Sequence, residues 1–148
     1  MFQGATSLSM DVKGRVIVPI RHRSHLEQHT VNKLVITAHP HRCLLLYPDQ
    51  AWSPIRARIM SFSSFDPRAS AWKRVLVGFA EEIQIDAAGR LLISPTLRKF
   101  ADLKKQLMLI GQGSHFEIWS EELWEKQLGR LSDISDEDLP KGLESFSL

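Results

Sequence analysis

Two acids, two glycines and four arginines recur in this chain at matched spacing, and they are the residues best suited to chemistry. Asp11, Gly14 and Arg15 stand as D-x-x-G-R before the apolar run Val16-Ile17-Val18, and Asp86, Gly89 and Arg90 repeat that order 75 residues later, before Leu91-Leu92-Ile93. Each copy is closed by a further arginine 12 residues after its acid, Arg23 and Arg98. An arginine displayed at a tight turn presents a planar fork of N–H donors, which suits phosphate oxygens and the O6 and N7 acceptors of guanine. No nucleophile-base arrangement accompanies it. The one cysteine, Cys43, precedes Leu44-Leu45-Leu46 and reads as a buried small hydrophobe. Gly111-Gln112-Gly113 lacks the third glycine and the lysine of a phosphate-cradling loop, so an enzyme is not expected.

A second constellation is rich in histidine. His22, His25 and His29 fall at i, i+3, i+7, and His39 and His41 follow, so that five of the six histidines lie within 20 residues. Three imidazoles on one helical face suit zinc or nickel. Against a metal centre stand the lack of a nearby acid other than Glu27, which falls on another face, and the absence of a matching cluster in the second copy. No His-Glu-x-x-His or paired cysteine occurs either. Metal binding is kept as an alternative function, and no cofactor is expected.

The elements that must position the two motifs follow from periodicity. Residues 5–10 alternate, with Leu8 and Met10 on one face, and Ile83 and Ile85 repeat the alternation before Asp86. Only the five motif residues, 11–15 and 86–90, separate these strands from the strands after the motif, so each motif sits at the tip of a tight hairpin, where glycine supplies φ > 0 and the acid folds back onto backbone N–H groups. Short helices follow, opened by Pro19 and Pro95, and then two further strands in each copy: 34–37 and 43–47, then 107–110 and 116–119. Asp49, Asp66 and Ser120 are expected to open three more helices, with Trp52, Trp72 and Trp124 on apolar faces turned to the core. A β-α-β-β unit of this size is marginal alone, so the two copies are expected to share one core as a pseudo-dimeric barrel, with a helical hairpin insert and a C-terminal helix. The divisions expected are 5–51, 52–79, 80–123 and 124–148.

Bulk properties allow one medium domain or two very small ones. The chain has 148 residues, 43% of them apolar, and lacks both the ~18-residue apolar run of a membrane span and the basic-then-apolar opening of a signal peptide, so a cytoplasmic protein is expected. Its net charge of +2 is unevenly spread: residues 1–75 carry eleven Lys or Arg against four acids, whereas 132–148 carry five acids and one lysine. A basic first half suits a polyanionic partner.

The pattern D-x-x-G-R-apolar-x-apolar-Pro-x-x-x-Arg, carried by Asp11, Gly14, Arg15, Val16, Val18, Pro19 and Arg23, resembles the SpoVT-AbrB swapped-hairpin DNA-binding module. Taken with its second copy, the opening Met-Phe-x-Gly, the Leu-Leu-Leu-Tyr-Pro segment 44–48 and Leu76-Val77-Gly78, the chain from Met1 to about Leu131 is similar to the MraZ family. The resemblance implies a swapped-hairpin, AbrB-like fold and a nucleoid-associated transcriptional regulator that assembles into a homo-oligomeric ring. It implies double-stranded DNA as partner, at direct repeats in the promoter of its own operon, the division and cell-wall cluster. The DNA-facing positions it implies are Lys13 and Arg15, with Arg21 and Arg23 as further phosphate contacts and Arg90 at the second tip. Asp11, Gly14, Asp86 and Gly89 build the turns. The second tip has Ala87-Ala88 where the first has Val12-Lys13, so less DNA contact is expected there; Ser94 stands in place of Pro19 with Pro95 one step later, which leaves the start of its helix open by one residue. Duplicated hairpins also suit a ring-forming structural or partner-binding scaffold, and cationic charge at the first tip favours DNA over it.

Overall fold

A computed structural model describes residues 1–28, 33–134, 140, 142 and 143. His29 and most of the acidic tail lie outside the described residues. The elements are β1 (Ala5–Ser9), β2 (Arg15–Ile17), α1 (Ile20–Gln28), β3 (Leu34–His39), β4 (Cys43–Pro48), α2 (Asp49–Met60), α3 (Pro67–Leu76), β5 (Glu81–Ile83), β6 (Arg90–Leu92), α4 (Pro95–Phe100), β7 (Gln106–Gly111), β8 (Phe116–Ser120) and α5 (Glu121–Gly129), closed by a 3-10 turn at Arg130–Asp133. With the strand before each motif counted, the order β-β-α-β-β occurs twice. The protein is α+β.

Local chemistry explains most boundaries. Asp66 caps α3, its carboxylate accepting from the Arg68 N–H at 2.9 Å with Pro67 in the first turn. Ser94 caps α4 by accepting from the Leu97 N–H at 3.4 Å, which is why this helix starts at Pro95, and Ser120 caps α5 through the Leu123 N–H at 3.1 Å. Asp49 is not a cap. The N-cap of α2 is Pro48, with no side-chain hydrogen bond, and Asp49 is the first helical residue, where its charge still favours the helix N-terminus.

The strands form a six-stranded antiparallel sheet in the order β1-β7-β8-β4-β3-β5 and a separate two-stranded ribbon, β2-β6. Pairing crosses between the repeats: β1 lies on β7 and β5 on β3, while β4 and β8 form the central seam. This is not the closed barrel expected from sequence. Strands β2 and β6 are three residues long and are joined to each other, so they do not link β1 to β5, which remain the two edges of an open sheet. The shared core is nevertheless present. Val16, Val18, Leu26, Ile36, Leu44 and Leu46 of the first repeat pack with Leu91, Ile93, Leu97, Leu107 and Phe116 of the second.

The sheet's other face carries a second cluster, with Val35, Leu45, Tyr47, Trp52, Ile59, Ile110 and Trp119, partly covered by Ile55 of α2, Leu76 of α3 and Trp124 of α5. Burial on both faces accounts for the largely apolar make-up of β3 and β4, in which Thr37 is buried as well. Trp72 departs from its expected core position. Its indole meets His39 edge-on at 6.0 Å and stays 46% exposed. Leu128 and Leu131 are likewise exposed on the far side of α5 and the turn after it. Among the described residues no helix is long and apolar enough to cross a membrane.

Candidate nucleic-acid interface

Each motif folds its own turn. The Asp11 Oδ1 accepts from the Lys13 and Arg15 N–H groups, both at 2.9 Å, and Oδ2 accepts from Arg15 Nε at 2.7 Å. Gly14 adopts φ +92°, and its N–H donates to the Asp11 carbonyl at 3.0 Å. The second copy repeats this: Asp86 Oδ1 takes the Ala88 and Arg90 N–H groups at 2.9 Å, Oδ2 takes Arg90 Nε at 2.9 Å, and Gly89 has φ +78°. Donation by the Arg15 backbone N–H, then by its side chain, holds the Asp11 carboxyl at about 2, well below its ordinary value. The same groups of Arg90, backbone first, lower Asp86.

Residue types and register then place the arginines together. In the ribbon Arg15 pairs with Leu92, Val16 with Leu91 and Ile17 with Arg90. Directly opposed residues of an antiparallel pair share a face. Val16 and Leu91 therefore enter the core, at 2% and 1% exposure, while Arg15, Ile17, Arg90 and Leu92 form one outward face. Each arginine is bound through Nε to its own acid, with side-chain exposure of 33% for Arg15 and 36% for Arg90. That pairing fixes the plane of the guanidinium and leaves the Nη edge for an external acceptor.

The closing arginines act on the opposite repeat. The Arg23 Nε donates to the Val18 carbonyl at 2.7 Å, and its guanidinium lies against Gly89, so closely that a Cβ there would come within 2.5 Å of Nε. The Arg98 guanidinium lies in the same way beneath Gly14, where a Cβ would meet its Nε at 2.8 Å and the Ile93 carbonyl at 2.6 Å, but its Nε is buried without a hydrogen-bond partner among the described residues. Backbone bonds cross in the same sense, Val18 N–H to the Gly89 carbonyl and Ile93 N–H to the Gly14 carbonyl, both at 2.9 Å. Each turn is thus braced by the other copy.

The remaining predicted residues are placed as follows. Lys13 is exposed at the first tip, and its backbone N–H donates to Asp11. Arg21, also exposed, binds Thr6 Oγ1 through Nη2 and donates from Nε to His22 Nε2 at 3.1 Å, which ties it to β1 and away from the ribbon face. Arg23 is half-buried in its brace rather than displayed to solvent. Sequence reasoning missed Ile17 and Leu92 as parts of this site, and it singled out Arg98 as a closing arginine without giving it a role. Their signal was the offset of 75, which relates Ile17 to Leu92 and Arg23 to Arg98 just as it relates Arg15 to Arg90.

His29 lies outside the described residues, and the other predicted histidines differ in setting. His22 is buried against Phe116, with ring centroids 4.7 Å apart, and burial followed by the nearby Arg21 charge lowers its pKa, whereas His25 is exposed. His39 and His41 meet at 4.6 Å on the β3–β4 turn. Among the described residues no group of three or more His, Cys, Asp or Glu is arranged to hold a metal ion.

Comparison with known proteins returns one family and many relatives. The family model described as "MraZ protein, putative antitoxin-like" matches residues 1–75 and again 76–143. A protein of Methylobacillus flagellatus named Transcriptional regulator MraZ is 58% identical over 148 residues, covering all of both chains. Proteins of the same name from Aromatoleum aromaticum and Thiobacillus denitrificans are 53% and 45% identical, again over the full length of each.

Proposed function

This chain belongs to the MraZ family, and we propose that it is a DNA-binding transcriptional regulator whose β2–β6 ribbon enters the major groove. The family is one of regulators and not of enzymes. The observation that carries the proposal is the placement of Arg15 and Arg90 at diagonal positions on the outward face of one two-stranded ribbon, each guanidinium bound to its own acid. A two-stranded ribbon fits a major groove about 12 Å wide, and an arginine with a fixed plane suits bidentate donation to guanine O6 and N7. Lys13, exposed beside Arg15, reaches a phosphate. Ala88 stands at the equivalent place in the second tip, so the two ends of the ribbon differ in charge while sharing their shape.

In this proposal residues 5–51 and 80–123 are the two DNA-facing modules of a swapped-hairpin pseudo-dimer, joined by 52–79 and followed by 124–148. The targets are direct repeats upstream of its own operon, the division and cell-wall cluster, engaged by a homo-oligomeric ring associated with the nucleoid. Repetition supplies the affinity that one ribbon lacks, because the second and later contacts of a ring on tandem repeats are effectively intramolecular.

The test is titration of the protein against its own upstream duplex and a scrambled duplex of equal length, at several salt concentrations. We expect preference for the upstream duplex, a log-log salt slope of roughly −0.9 per phosphate contacted, and loss of the preference in Arg15→Ala. Equal affinity for both duplexes, or an Arg15→Ala variant that keeps the preference, refutes the assignment. A monomer by sedimentation at working concentration refutes the ring.

A further inference from the structure

Ile17 and Leu92 belong to neither hydrophobic cluster among the described residues. On three-residue strands whose inward residues Val16 and Leu91 are almost wholly buried, these two aliphatic side chains stand out 58% and 56% exposed. They occupy the same outward face as the two arginines, Ile17 opposite Arg90 and Leu92 opposite Arg15, and are related to each other by the same offset of 75. The face is therefore a four-residue checker in which cations and apolar groups alternate both along and across the strands. A surface meant only for phosphates has no use for its two aliphatic corners.

We propose that Ile17 and Leu92 are specificity-determining residues that pack on the 5-methyl groups of thymines. The inference rests on the ribbon being the DNA-facing surface. Thymine methyl is the one apolar marker that base pairs display in the major groove, while guanine O6 and N7 are the acceptors that suit arginine. Cations and aliphatic groups on one face thus match a short mixed site of guanines and thymines. Ile17 and Leu92 are diagonal neighbours across the ribbon, a separation of roughly 7–8 Å, which corresponds to about two base-pair steps of ~3.4 Å. The two methyls read are therefore expected about two steps apart, with the guanines read by Arg15 and Arg90 beside them.

The experiment leaves the protein unaltered at first. In the duplex from upstream of its own gene, each thymine is replaced in turn by deoxyuridine, which removes the methyl and keeps every base-pairing and groove hydrogen-bonding group. Burying one methyl corresponds to about fourfold in affinity, so we expect wild-type protein to lose about fourfold at two positions and to be indifferent at the others. Ile17→Ala should abolish the uracil effect at one of these positions and Leu92→Ala at the other, with melting temperatures unchanged because both side chains are solvent-exposed. If alanine lowers the melting temperature, the titrations are run far enough below it that the variant is fully folded, as far-UV circular dichroism reports. Binding that prefers the upstream duplex and depends on Arg15, with a flat uracil scan, overturns this inference and leaves the regulator standing. Uracil effects that persist unchanged in both variants also overturn it, since another group then reads the methyls. No preference for the upstream duplex overturns the regulator and this inference together.

Discussion

Gly89→Ala tests whether the two repeats brace each other. Gly89 has φ +78°, so alanine there carries the left-handed strain of about 1 kcal/mol. The added methyl also overlaps the Arg23 guanidinium, whose Nε donates to the Val18 carbonyl at 2.7 Å. Moving Arg23 aside weakens a hydrogen bond from a charged donor, worth about 2 kcal/mol. The total expected is therefore about 3 kcal/mol, read as a shift in the midpoint of equilibrium denaturation with an unchanged m-value. Gly113→Ala is the control. That glycine has φ +82° and open space where the methyl would go, so only the strain of about 1 kcal/mol applies. Arg23→Ala makes room beneath the turn, and in that background Gly89→Ala should fall to the control value, a coupling of about 2 kcal/mol. Equal costs for Gly89→Ala and Gly113→Ala, or additivity with Arg23→Ala, would refute the brace.

Four further outcomes are expected. Removing Lys13 by alanine should make the log-log salt slope of DNA binding shallower by about 0.9, and Ala88→Lys should steepen it by the same amount, read by fluorescence anisotropy. The Asp11 carboxyl sits at about 2 in the fold against an ordinary 3.8, so the stability it adds is present in full above about pH 4 and is lost as pH falls toward 2; Asp11→Asn should lack that acid limb in thermal melts. Trp52, 2% exposed against Tyr47, should cost about 3–5 kcal/mol when replaced by alanine, measured by chemical denaturation. Burial, with a smaller push from Glu117, raises the Cys43 thiol, so a thiol reagent at about pH 8 should label it only after denaturation.

What the sequence by itself determined were the features whose donors and acceptors lie within a few residues. The D-x-x-G-R turn closes within five residues, because Asp11 bonds the N–H groups of Lys13 and Arg15 and Gly14 supplies the positive φ. The caps at Asp66, Ser94 and Ser120 are equally local, and the alternation of β1 follows from side-chain period alone. Duplication at an offset of 75 implied a shared core, since one copy could not bury Ile36, Leu46 or Phe116 unaided. Tertiary structure decided what depends on partners far along the chain. Only the pairing of β2 with β6 puts Arg15 and Arg90 on one face with Ile17 and Leu92, and only the crossing of repeats turns Arg23 and Arg98 inward beneath the opposite glycines. The exposure of Trp72 and the open sheet were hidden for the same reason. Periodicity tells which residues share a face, but whether anything covers that face is set by elements tens of residues away.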